Sequence, residues 1–483
     1  MLFICLSFIF VSPLHADVKL AGVFGDHMIL QREMKLAVFG SANPGERVTV
    51  KVAGQSVSTK ADGEGSWRVV LNPLKPSASP VEFIVNGSNT LILEDVLVGD
   101  VWLCSGQSNM VFPLDKEQSG AEELPKADHP GLRWCQISSK AMREPLADRK
   151  VNWVICDPEH ANHFSAVGYY FGRDIHESTG IPIGLILSAV SGTPAQSWTS
   201  LDALKSNPAL RSYLDTYDQM KDKPGTGGDP KEAAPGTPTS LFNGMISPFI
   251  SFGIKGIVWY QGESNTGEAE LYRQLFPTLI TDWRKHWNEG NIPFLYVQLP
   301  GFGRRNAEPT SSNWALLREA QTMALSLPDT GMAVTVDLSP ARNILHPRNK
   351  REIGRRLALV ASHLVYGQNV DCYGPTYKSS KIEGDKDRIT FNDIGSGLVM
   401  GASVSTDTNE TTTLTGHQLK GFSISGADHK FVWADAAIEG DSVIVSSAKV
   451  KSPVAVRYGW DDNPEVNLFD KEGLPAVPFR TDN

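Results

Sequence analysis

Four short stretches carry groups fit for acyl transfer. Ser105-Gly106-Gln107-Ser108-Asn109 offers a hydroxyl, and Ser191-Gly192-Thr193-Pro194 offers a glycine N–H. Gln261-Gly262-Glu263-Ser264-Asn265 offers a side-chain amide, and Asn343-Ile344-Leu345-His346-Pro347 an imidazole. A serine hydroxyl attacks a carbonyl well only beside a base, and the oxyanion so formed needs donors fixed in advance. Ser108 is therefore the candidate nucleophile and His346 the candidate base. Such chemistry needs no metal or cofactor. None is expected, because the cysteines show no CxxC or other metal-ligand spacing.

Each stretch follows an apolar run that reads as a buried strand. Residues 96–104 precede Ser105, 181–190 precede Ser191, and 253–260 precede Gln261. Residues 332–336, then a loop, precede Asn343, and 294–299 form a further strand. Helical spacing marks 166–178, with Tyr170, Phe171 and Ile175 on one side, and helices also fit at 268–287 and 311–326. This alternation predicts an α/β fold with a doubly wound parallel sheet, whose ligands lie beyond the carboxyl ends of the strands. Pro347 suits the first turn of a helix, and Ile353, Leu357, Val360, Ala361 and Leu364 follow at helical spacing, so His346 is expected at a helix start.

The flanks read differently. Residues 17–97 and 367–483 are strings of short alternating segments with Gly, Asn, Asp and Pro turns, predicting a β-sandwich-like region on each side of a 98–366 catalytic domain. Residues 1–16 read as a secretory signal, which predicts a secreted or periplasmic protein. No later run is long enough to span a membrane. Residues 221–239, rich in Pro and Gly, read as a mobile loop near the site. Over 483 residues, 41% hydrophobic and 20% charged is an ordinary globular composition. A net charge of −9 without a basic stripe argues against a nucleic-acid partner. Cys104, Cys135, Cys156 and Cys372 are widely spaced, and their pairing is not readable from sequence.

The chain resembles the sialate O-acetylesterase family, a branch of the SGNH-type hydrolases with a flavodoxin-like sheet. The likeness rests on LAGVFGDHMILQR at 20–32, VGDVWLCSGQSNM at 98–110, NGMI at 243–246, IKGIVWYQGESN at 254–265, HPRNKREIGRRLALVA at 346–361 and LPAVPFRT at 474–481. The resemblance implies Ser108 as nucleophile, His346 as base, and Ser108 and Gly192 as N–H donors to the oxyanion. It implies a third donor from the YQGESN block, with Gln261, Gly262 and Asn265 as alternatives for the group facing the oxyanion and the Asn265 amide the one used in the expected mechanism. The implied substrate is an O-acetylated sialic acid. Acetylated xylan or another polysaccharide would use the same machinery, and a carbohydrate-binding protein without activity is the reading from another class. A serine peptidase fits less well, since there is no GxSxG elbow.

One departure matters. Hydrolases of this type often carry Asp two or three residues before the histidine, where this chain has Ile344 and Asn343. Asn343 can orient an imidazole but cannot stabilise its charge. Asp337 could replace the acid if the loop folds back. A Ser–His dyad oriented by a backbone carbonyl is favoured over it. Glu263 is expected to position Ser108 or Asn265. Trp198 and, less strongly, Tyr260 are candidates for shaping a sugar pocket, whereas Trp259 is expected in the core. Arg318, with Gln321 on the same helix, is a candidate for binding a substrate carboxylate.

Overall fold

The 96–104 run builds the longest strand among the described residues, β3 (Val96–Gly106), buried along its whole length. The computed structural model describes residues 17–225, 227–339, 343–401 and 418–482. The expected signal at 1–16 lies outside them.

Two short strands, β1 (Ile29–Gln31) and β2 (Ser77–Val81), pair with the first half of β3. Its second half enters the sheet of the α/β core, which also holds β4 (His129–Gln136), β5 (Trp153–Cys156), β6 (Ile183–Ala189), β7 (Gly256–Tyr260), β8 (Phe294–Val297) and β9 (Thr330–Ala333), and pairs there with β6 and β7. Their order is β5-β4-β6-β3-β7-β8-β9. All neighbours in this path are parallel except β4 and β5. The expected boundary between 97 and 98 thus falls inside one strand. Asp100, buried in β3, reinforces the join by accepting from Arg32 at 3.0 and 3.1 Å and from Gln31 at 2.9 Å.

Successive residues of a strand face opposite sides, and here each side has its own helical cover. Trp102, Cys104, Leu185, Val258 and Leu295 pack with α2 (Ala166–Thr179) and α5 (Lys350–Leu364). Val101, Leu103, Ile186, Trp259 and Tyr296 pack with α3 (Ala269–Trp287) and α4 (Asn313–Met323). Gly354 lets α5 approach α2, since a Cβ there would lie 2.5 Å from that of Tyr170.

The flanking regions are antiparallel. Among the described residues, those before β3 add a three-stranded and a four-stranded sheet, and those of 376–480 add two four-stranded sheets and one two-stranded sheet. Among the described residues, Cys104, Cys135, Cys156 and Cys372 are buried and unpaired. Within 221–239, residues 232 and 233 are held to the core: Glu232 bridges Met142, and the Ala233 N–H donates to the Ala141 carbonyl. No helix among the described residues is long and apolar enough to cross a membrane.

Candidate active site

The sheet order reverses at β3, whose neighbours β6 and β7 lie on opposite sides, so their carboxyl ends open a crevice at a topological switch point. Gly106 closes β3 at φ +134°, in a place where a Cβ would sit 2.1 Å from the Tyr260 carbonyl oxygen. Only glycine permits that approach. The chain turns at Gln107 into the short helix α1 (Ser108–Val111). The Gln107 N–H donates to the Tyr260 carbonyl at 3.0 Å, and its side-chain oxygen accepts from the Ser264 N–H at 3.3 Å.

Ser108 opens α1, so its N–H has no intrahelical acceptor. Its Oγ lies 2.8 Å from His346 Nε2. His346 is half-buried, and Nδ1 has no partner among the described residues. It does not stand at a helix start as expected, nor does Pro347 lie in a first turn. α5 begins at Lys350, capped by the Asn349 side chain, which accepts from the Glu352 N–H at 3.1 Å. The histidine precedes it in a loop. Burial, and then the positive charge of Lys350, hold the imidazole below its ordinary pKa.

Gly192 is exposed at φ +71°, with open space where a Cβ would be, and its N–H has no acceptor among the described residues. Asn265 lies buried beneath this turn. Its Oδ1 accepts from the Ala195 N–H at 2.9 Å and from Gln261 Nε2 at 2.7 Å, and its Nδ2 donates to Gln196 Oε1 at 2.9 Å. The backbone donor fixes which end of the amide is oxygen. The Asn265 side chain is also hydrogen-bonded to Tyr213, so this fully buried amide is taken up internally rather than presented to the cleft as the expected third donor. Gln261 also donates to the Thr193 carbonyl at 3.3 Å, so the β7 turn braces the β6 turn. Gly262 faces away from these groups, since a Cβ on it would meet Leu317 at 2.7 Å.

Several expected contacts are not made. Trp198 lines no pocket: it is fully buried, donates to Thr193 Oγ1 at 3.0 Å and meets the Trp259 ring edge-on. It stiffens the loop that carries Gly192. Tyr260 is buried too, and Trp259 lies in the core as expected. Arg318 is fully buried, and its Nη2 donates to the carbonyls of Gly459 and Asp461, so its guanidinium is not open to a substrate carboxylate. Gln321 is likewise internal, donating to the carbonyls of Gln261 and Val297. Both Asp337 oxygens accept from Arg356 at 2.7 Å, which takes the carboxylate away from any role on His346. Asn343 is exposed and has no hydrogen-bond partner among the described residues. Glu263 accepts from Asn109 rather than contacting Ser108 or Asn265.

Sequence reasoning misses Asn109 and Lys350, yet both lie against this site. Lys350 is buried between the rings of Phe112 and Tyr260, at 5.0 and 5.1 Å from their centroids. Burial pushes its ammonium down to about 7, against the pull of Glu263 and Glu117.

A hydroxyl and an imidazole in hydrogen-bond contact at the carboxyl edge of a parallel sheet, beside free N–H groups, define a hydrolase-type site. Residues 98–363 match the family described as carbohydrate esterase, sialic acid-specific acetylesterase, and the chain belongs to it. Sialate O-acetylesterase of Homo sapiens is 31% identical over 95% of this chain and 92% of its own length. The Rattus norvegicus protein of the same name is 30% identical over 95% and 94%. The crystal structure of a carbohydrate acetylesterase from Xanthomonas citri superposes with a TM-score of 0.84 at 35% identity, covering 97% of this chain and all of that one.

Proposed function

We propose that this esterase removes O-acetyl groups from sialic acids through an acetyl–Ser108 intermediate. The observation that carries the mechanism is the 2.8 Å contact between Ser108 Oγ and His346 Nε2. The substrate class comes from the family and from the names of its relatives. In this reading the core is the doubly wound, flavodoxin-like sheet of SGNH-type hydrolases, with catalytic residues drawn from 98–366. Residues 1–16 act as a signal that sends the protein out of the cytoplasm.

His346 Nε2 takes the Ser108 proton as Oγ attacks the acetyl carbonyl carbon. The oxyanion is held by the N–H groups of Ser108 and Gly192. The bond to the sugar oxygen breaks, and that oxygen receives the proton from His346. Water then attacks the acetyl group, gives its proton to His346, and acetate leaves as the proton returns to Ser108 Oγ.

The test is acetate release from O-acetylated sialic acid and from acetylated xylan, by the wild type and by Ser108→Ala. Release from the sialic acid that disappears in the variant is expected. Release from xylan alone would keep the chemistry and overturn the substrate. No release from either, nor from a small activated acetyl ester, would favour a carbohydrate-binding protein.

The pH profile gives a second expectation. The base works only as neutral imidazole, and a lowered pKa keeps it neutral to more acidic pH. The acid limb of kcat/KM should therefore lie below the ordinary histidine value of about 6.5. Lys350→Met removes a cation that opposes His346 protonation, so its limb should move upward. A limb that stays in place in that variant would show that Lys350 does not act on the base.

A further inference from the structure

The His346 loop lacks the acid that usually steadies a catalytic histidine, but it has a tether. Asn109, next to the nucleophile, donates from Nδ2 to the Leu345 carbonyl at 3.1 Å, one residue before His346. The same Nδ2 donates to Glu263 Oε1 at 2.5 Å, and Oδ1 accepts from Lys350 Nζ at 2.5 Å. Lysine only donates and a carbonyl only accepts, so these partners fix the amide in one orientation. Asn109 is fully buried, as is Lys350. The chain Lys350–Asn109–Glu263 thus joins α5, α1 and the β7 turn directly behind the Ser108–His346 pair.

We propose that Asn109 is a positioning residue that, through the Leu345 carbonyl, holds His346 at its hydrogen-bonding distance from Ser108. Lys350 and Glu263 aim the amide. The nucleophile and the loop that carries the base are thereby locked to one side chain, which takes over the placing role that an Asp before the histidine would serve. The inference rests on the acyl-transfer reading above, because positioning has a consequence only if Ser108 and His346 react together.

The discriminating variant is Asn109→Asp combined with Glu263→Gln. It keeps the volume, the net charge and the hydrogen-bonded chain, since the carboxylate introduced at position 109 accepts both from Lys350 and from the amide introduced at position 263. What it loses is the donor to the Leu345 carbonyl. A base displaced by about 1 Å costs about 10²-fold. The double variant should therefore keep a thermal midpoint near that of the wild type while kcat falls by that factor and KM changes little. Asn109→Ala and Asn109→Asp complete the series. They should show a similar loss of kcat despite different midpoints, and they stand in for the double variant should it not fold. A kcat in the double variant within about threefold of wild type, or a kcat that tracks the midpoint across the series, would mean a merely structural role and overturn the proposal. A wild type that releases no acetate overturns the acyl-transfer reading and this inference together. An active wild type that is silenced by Ser108→Ala, with Asn109 variants that keep their kcat, overturns this inference alone.

Discussion

Replacing His346 by alanine is expected to lower kcat for acetate release by about 10⁴-fold or more, with KM changed only a few-fold. The reason is geometric. Among the described residues Ser108 Oγ has one base in contact, at 2.8 Å, and without it the hydroxyl must lose its proton to water. The free N–H groups of Ser108 and Gly192 remain and still bind the oxyanion, so part of the acceleration survives. Nucleophile and base act as a unit, so Ser108→Ala combined with His346→Ala should be no slower than either alone. Steady-state kinetics on an activated acetyl ester, with folding checked by circular dichroism, reads the effect. A loss below about tenfold would remove His346 from the mechanism.

Most of the scaffold for this site is readable because its strands are buried on both faces. Continuous apolar runs with small polar residues at their ends mark β3, β6 and β7, and the candidate groups follow those ends. β4 and β5 are harder to read. Pro130 and Gly131 interrupt the first, and the second has only four residues, so neither gives a long apolar signal. The continuity of β3 with β1 and β2 is also hidden, because strand pairing across domains leaves no local pattern.

The misread side chains share one physical cause. Arg318 and Gln321 lie on the buried face of α4 with Trp314 and Leu317, and they serve backbone carbonyls there. Charged and amide side chains are taken as surface groups by default, whereas a buried backbone group also needs partners. Lys350 carried a usable signal. It stands three residues before Ile353 and seven before Leu357, on the apolar stripe of α5, where a cation is out of place unless it does something. Asn109 had none, since one amide in a polar turn looks like any other until its partners are known.

Asp337→Ala separates stability from catalysis. The Asp337–Arg356 pair is bidentate at 2.7 Å, with side chains 2% and 4% exposed. Arg356 keeps Glu352 at 2.9 Å and the Val334 carbonyl at 2.6 Å, but it loses its fully buried partner. Removing one member of a buried pair costs about 3–5 kcal/mol, because the other charge stays desolvated. Against a total of about 5–15 kcal/mol, this is a large fraction. Urea unfolding should show that loss. Asp337→Ala with Arg356→Met should be less destabilised than the single variant, since no orphaned guanidinium remains. The kcat of folded Asp337→Ala should stay within a few-fold of wild type, as neither member of the pair touches His346. A loss approaching that of His346→Ala would instead make Asp337 the acid behind the base. In that case the His346 loop would have to close further on β9 when substrate binds.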